Sequence, residues 1–146
     1  MEEKSVERRF FPKKERLSSR KDIDRLFVEG KSIKSFPLRA VFCSADKADD
    51  ASQHAAGIAI MVSVAKKRLR HAVDRNRIKR LIRESYRLNK QPLVECCTAE
   101  IIALHIAFVY MSNEVLHYAD ISKAMIKTVN KLVAQLTSDI HETTAD

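Results

Sequence analysis

The chain has no tryptophan, only two glycines and three prolines, and three cysteines in 146 residues. So few turn-formers leave little room for an all-β domain, whose tight turns draw heavily on glycine and proline. An α/β or α+β domain is the better reading. Cys43, Cys96 and Cys97 are odd in number and show no CxxC spacing, which argues against a disulfide or zinc framework. They read as buried, reduced thiols of a cytoplasmic protein. No long apolar run is present and the opening MEEKSVERRF is charged, so neither a secretory signal nor a membrane span is expected. The length suits one domain, and 45% hydrophobic residues suffice for a core.

What the chain has in abundance is positive charge, and it is concentrated. From Lys66 to Lys90 eleven Lys or Arg face only Asp74 and Glu84, a net +9 that exceeds the +8 of the whole protein and leaves −1 for the other 121 residues. At 100° per residue the half from Asp74 to Asn89 divides into two faces. Arg75, Lys79, Arg80, Arg83 and Arg87 gather with Asn76 on one side, and Ile78, Leu81, Ile82, Ser85 and Leu88 on the other. The spacing predicts an amphipathic helix that buries the second face and keeps the first wet. Asp74 suits its N-cap or first turn, and Asn89-Lys90-Gln91-Pro92 marks its end. Like charges at i,i+4 repel, so a crowded cationic face calls for an anionic partner. Nucleic-acid phosphates fit, because each one neutralised releases condensed counterions. Arg77 falls beside Glu84 at the border of the apolar arc, where bridging to the sheet and contact with RNA are both open. Tyr86, between Arg75 and Lys79, can stack on a base or pack at the boundary.

Along the rest of the chain, residues 1–16 carry six basic residues against four Glu around Phe10-Phe11-Pro12, a basic arm that is either extended and packed or a free tail. A short helix is expected from about Ser19 to Glu29, with Ser18 or Ser19 as N-cap, Asp22 as the capping-box acid and Gly30 as the stop. Alternation from Lys31 to Cys43, broken at Phe36-Pro37, reads as one or two strands, and residues 44–53 as a polar loop. Ala55 to Val64 reads as a central strand pairing with its predecessor as an antiparallel hairpin. Glu100 to Met111 reads as a strand covered on both faces, reached through the basic helix as crossover. Tyr118 to Ile140 repeats apolar residues at three and four, an amphipathic helix followed by a frayed tail at 141–146. Residues 91–146 hold three basic groups against seven acidic, so that half should face away from a nucleic acid. The order α-β-β(β)-α-β-α describes one compact α/β sandwich around a mixed sheet, with the domain proper at 17–140.

Hydrolysis of a phosphodiester by the protein itself would need paired carboxylates holding metal ions or a His acid/base pair. Asp74 and Glu84 stand ten residues apart, and the five histidines show no HxH or HxxxH spacing. His105, inside an apolar strand, reads as a core residue. No protein-borne catalytic site is expected.

Arg75-Asn76-Arg77, followed by Ile78-Lys79-Arg80 and Arg83-Glu84, resembles the RNR signature of the protein subunit of bacterial ribonuclease P. That ribonucleoprotein removes the 5′ leader of precursor tRNA. His71-Ala72-Val73 stands where the family has Asn-Ala-Val, and Ala65-Lys66-Lys67 is similar to its Ser-Lys-Lys. Over roughly residues 10–136 the resemblance implies a ribosomal protein S5 domain 2-like sandwich with a left-handed crossover. It places catalysis in the RNA subunit, with Mg²⁺ held by RNA and substrate, and needs no obligate protein partner. Lys66, Lys67, Arg68, Arg70, Arg75, Asn76, Arg77, Lys79, Arg80, Arg83 and Arg87 would contact the catalytic RNA. Phe27 and Arg39, with exposed strand positions and with Ile23 where the family usually has Phe, would line a cleft for the single-stranded leader. Where the family turns on Gly-Asn this chain has Arg70-His71, so a different local backbone is expected. A ribosomal or other structural RNA-binding protein shares the basic helix and is the alternative; a DNA-binding regulator would place such a helix after another helix rather than a strand.

Overall fold

The computed structural model describes residues 16–44, 57–99 and 103–145, with side chains described as far as Asp139. The basic arm at 1–15 and most of the polar loop lie outside them. Helix α1 (Arg20–Glu29) starts where Ser19 Oγ accepts from the Asp22 N–H at 3.4 Å. It ends at Gly30, whose N–H donates to the Leu26 carbonyl at 2.8 Å with φ −73°, so no left-handed turn is involved. Glycine is needed there for closeness: a Cβ would stand 2.3 Å from the Leu26 carbonyl oxygen and 2.9 Å from Val41 Cγ1. Strands β1 (Lys31–Ser35) and β2 (Leu38–Ser44) form a hairpin about the cis Phe36-Pro37 bond. Then come β3 (Ile58–Ser63), α2 (Ala72–Asn89), α3 (Gln91–Ala99), β4 (Leu104–Tyr110) and α4 (Tyr118–Ala145).

The sheet runs β1-β2-β4-β3, antiparallel except for the parallel pair β3/β4. The antiparallel β2/β3 hairpin expected from the sequence is therefore replaced, since β4 lies between the two strands. Burial explains the insertion: β4 is the most continuously apolar strand and gains most from neighbours on both edges and cover on both faces. Its parallel partner β3 must be joined to it by a long crossover, which α2 and α3 supply.

Helix α3 also departs from expectation. Helix α2 ends at Asn89, where Asn89-Lys90-Gln91-Pro92 marks its stop, but helical structure resumes at once: Pro92 sits in the first turn of α3, where its missing N–H would have had no intrahelical acceptor. Leu93 and Cys97 of α3 are buried, and burial, then neighbouring Cys96, pushes the Cys97 thiol up to about 12. Helix α4 continues beyond Ile140 through the residues expected to fray.

Two-residue alternation divides the core. One sheet face sends Leu38, Ala40, Phe42, Ile58, Ile60, Ile106 and Phe108 against α2, α3 and α4. The other sends Val41, Ala59 and Ala107 against Leu17 and Leu26. His105 is buried on this second face, in register with Cys43 and Ala59. The outer edge of β3 is partly covered by residues before α1: Arg16 bridges Ile60 in parallel, and the Leu17 N–H donates to the Ile60 carbonyl at 2.6 Å.

Helix α2 is rotated by roughly 50° from the orientation its Ile and Leu spacing implies. Ile78, Ile82, Ser85 and Tyr86 are buried, and Leu88, placed on the burying face by the sequence, is 56% exposed. Tyr86 offers more surface than Leu88 and meets Phe108 at 5.5 Å between ring centroids, tilted by 51°. Packing, rather than base stacking, is its role. Replacing Tyr86 by Ala should cost about 3–5 kcal/mol in urea unfolding, whereas Leu88→Ala should stay within about 0.5 kcal/mol. The reverse order would refute this helix orientation.

Candidate nucleic-acid interface

Helix α2 packs on β3 and on α4, while α4 covers β1 and β2. It therefore forms the outer member of the helical layer, and the side turned away from α4 overhangs the β3 edge. Asn76, Arg80 and Arg83 are exposed on this flank and Lys79 is half-buried at its margin. Partial burial, then the nearby Arg16 guanidinium, pushes Arg83 below its ordinary value, although solvent still reaches it. Arg87 donates to Glu84 through Nε at 3.2 Å and through Nη2. That hydrogen bond raises Arg87 above its ordinary value and makes it the partner of Glu84. Arg77 is exposed.

Arg75 departs most from its expected place on the wet face. Its Nη1 donates to the Leu69 and Arg70 carbonyls at 2.9 Å each, tying the helix to the connection that precedes it. That connection turns with Arg68 N–H and Leu69 N–H both on the Ala65 carbonyl, at 3.0 and 3.2 Å, and buries Leu69. An arginine fork thus secures Arg70-His71 in the stretch where the resemblance calls for Gly-Asn. Arg68 is half-buried and donates through Nη1 to Asn113 Oδ1 at 3.3 Å. Asn113 lies in a loop gathered by Tyr110 Oη, which donates to the Glu114 carbonyl at 2.5 Å and accepts from the Leu116 N–H at 3.2 Å. Lys66, Lys67 and Arg70 remain exposed beside this scaffold.

On the opposite sheet face, Ile23 packs against the second core cluster while Phe27, one turn later on α1, is 48% exposed. Arg39 lies on this face in a cross-strand row with Lys34, Val109 and Ser63. That row is one step further along the face than the row of Val41 and Ala107 packed with Leu26. Val109 and Ser63 are only half-buried and Lys34 is exposed, so the row forms an open floor. The Arg39 Nε is buried without a hydrogen-bond acceptor among the described residues. Lys34, Ser63 and Val109 were not singled out from the sequence. Alternation could assign each to a face, but only the β2/β4 register aligns them with Arg39.

Asp74 and Glu84 are ten residues apart on α2, roughly 15 Å along its axis. Among the described residues no group of three or more His, Cys, Asp or Glu could hold a metal ion, and no helix is long and apolar enough to cross a membrane.

A mixed sheet with helices filling one face, an open floor on the other and a cationic helix flank at its edge defines a small α+β domain of the nucleic-acid-binding class. The ribonuclease P family model matches residues 11–133. The ribonuclease P protein component of Porphyromonas gingivalis is 41% identical over 127 residues, covering 86% of this chain and 88% of the relative. That of Chlorobium phaeobacteroides is 39% identical over 85 residues, 58% of this chain and 57% of the relative. In fold, the chain is similar to the Staphylococcus aureus RNase P protein, with a TM-score of 0.62 at 23% identity over 81% of this chain and 94% of the other. The Thermotoga maritima RNase P protein gives 0.59 at 21% identity over 80% and 96%. The chain belongs to the ribonuclease P protein family.

Arg75→Ala removes the donor to two carbonyls and should lower stability by about 1.5–3 kcal/mol. Arg80→Ala, on the exposed flank, should leave the thermal transition within about 0.5 kcal/mol of the parent. Equal transitions for the two variants would show that the Arg75 fork does not hold the connection.

Proposed function

We propose that this chain docks on the catalytic RNA of ribonuclease P through the α2 flank and the 66–70 connection, and holds the 5′ leader of precursor tRNA on the open floor of the sheet. Family membership makes it the protein component of an endoribonuclease holoenzyme in tRNA processing. The finer assignment is carried by one observation: Asn76, Lys79, Arg80 and Arg83 share a solvent-facing flank while the opposite arc of the same helix is locked in the core. Such a flank offers phosphates a rigid, preordered set of donors, Arg by paired N–H groups and Lys as a point charge. Lys66, Lys67 and Arg70 extend it. Arg68 and Arg75 serve the interface by shaping the connection, and Arg77 is exposed on the shoulder of α2 for contact with the same RNA.

For the leader, Phe27 provides a partly exposed ring for stacking, worth about 1–3 kcal/mol per base. Arg39 lies half-buried in the floor row, its guanidinium at hand for an RNA acceptor, and Ile23, one turn before Phe27, packs toward the core. The chemistry is assigned to the RNA, with Mg²⁺ held by RNA and substrate. The protein's part is to neutralise phosphates and orient the leader, which lowers the Mg²⁺ needed for assembly and cleavage. A cytoplasmic location follows from this role.

Cleavage of precursor tRNA by bacterial ribonuclease P RNA at low Mg²⁺ should be strongly stimulated by the purified chain, and the chain alone should cut nothing. Absence of stimulation, or cleavage by the polypeptide unaided, would overturn the proposal. Arg39→Ala should raise KM about tenfold for precursor tRNA with a long leader and little for one with a single leader nucleotide. Equal effects on both substrates would remove Arg39 from the leader site.

A further inference from the structure

The segment before α1 brings a cation to the β3 edge from outside the basic helix. Arg16 is the parallel bridge partner of Ile60, and bridge partners project to the same sheet face. Ile60 belongs to the core beneath α2, whereas Leu17 belongs to the core beneath α1. Arg16 thus points to the α2 side of the sheet, along the edge that the flank of α2 overhangs. Electrostatics agrees independently: after partial burial, Arg16 is the group that pushes Arg83 below its ordinary value. Arg83 has no carboxylate partner among the described residues. Two arginines, one rooted at a backbone bridge and the other on a packed helix, are therefore brought to the same edge of the sheet. A phosphate between them can accept from both, since guanidinium forks match its oxygens.

We propose that Arg16 and Arg83 form a clamp across the β3 edge that takes one phosphodiester of the catalytic RNA. This rests on the assignment of the α2 flank to that RNA and adds to it a contact from the other end of the chain. The clamp continues the row of Lys79 and Arg80 around the edge of the sheet, so one RNA strand can follow the flank and pass over β3.

Arg16→Ala, Arg83→Ala and the double variant of the full chain, titrated against ribonuclease P RNA over a range of salt, test it. Each single variant should weaken binding about three- to tenfold and flatten the salt slope by about one phosphate. The double variant should be scarcely worse than the weaker single one, because both arginines serve the same phosphate. Arg16→Lys should recover part of the loss. The thermal transition of Arg16→Ala should be unchanged, since the edge is held by backbone bonds. Wild-type affinity and slope for Arg16→Ala would overturn the clamp, as would independent losses that multiply in the double variant. So would an effect on precursor tRNA binding alone. A parent chain that ignores the catalytic RNA would instead overturn the assignment of the flank, and the clamp with it.

Discussion

The burial of Tyr86 against Phe108 sets the rotation of α2, and that rotation decides which of its arginines meet solvent. A helix whose apolar arc spans roughly 160° once Tyr86 is included, wider than a single neighbour covers, can pack in more than one orientation. The largest ring chooses among them, because an aromatic side chain contributes more burial than the leucine it displaces. With Tyr86 inward, Leu88 turns out, Arg75 swings into the preceding connection, and Asn76, Arg80 and Arg83 overhang the β3 edge. The cationic flank is thus defined by a core contact on its far side.

The second constraint is the central place of β4. Lying between β2 and β3, it joins a hairpin to a parallel crossover, and its alternate residues reach both cores. The same placement makes the open floor: Val109 sets Arg39 of β2 beside Ser63 of β3, one row beyond the residues packed with α1. The cationic flank and the open floor, on opposite sides of one sheet, share that strand. A change in its register would disturb both.

Between them lies a connection stabilised by side chains. Leu69 is sunk in the core, Arg75 holds the carbonyls on one side, and Arg68 reaches Asn113 on the other. Donors that serve structure are unavailable to phosphates, so the basic segment divides its labour. Arg75 and, in part, Arg87 maintain the scaffold, while Arg80, Arg83, Lys66, Lys67 and Arg70 stay open.

From the sequence alone came the basic amphipathic helix, the start and end of α1, the strands and the resemblance in Arg75-Asn76-Arg77, because these rest on local periodicity, capping and residue order. Ser19 and Gly30 bound their helix as expected, and Phe36-Pro37 breaks the strands as expected. Strand neighbours, the rotation of α2, the scaffold role of Arg75, helix α3 around Pro92 and the row containing Arg39 were decided by the tertiary structure. Each depends on which distant surfaces compete for burial, and spacing along one segment carries no information about the partner it will meet.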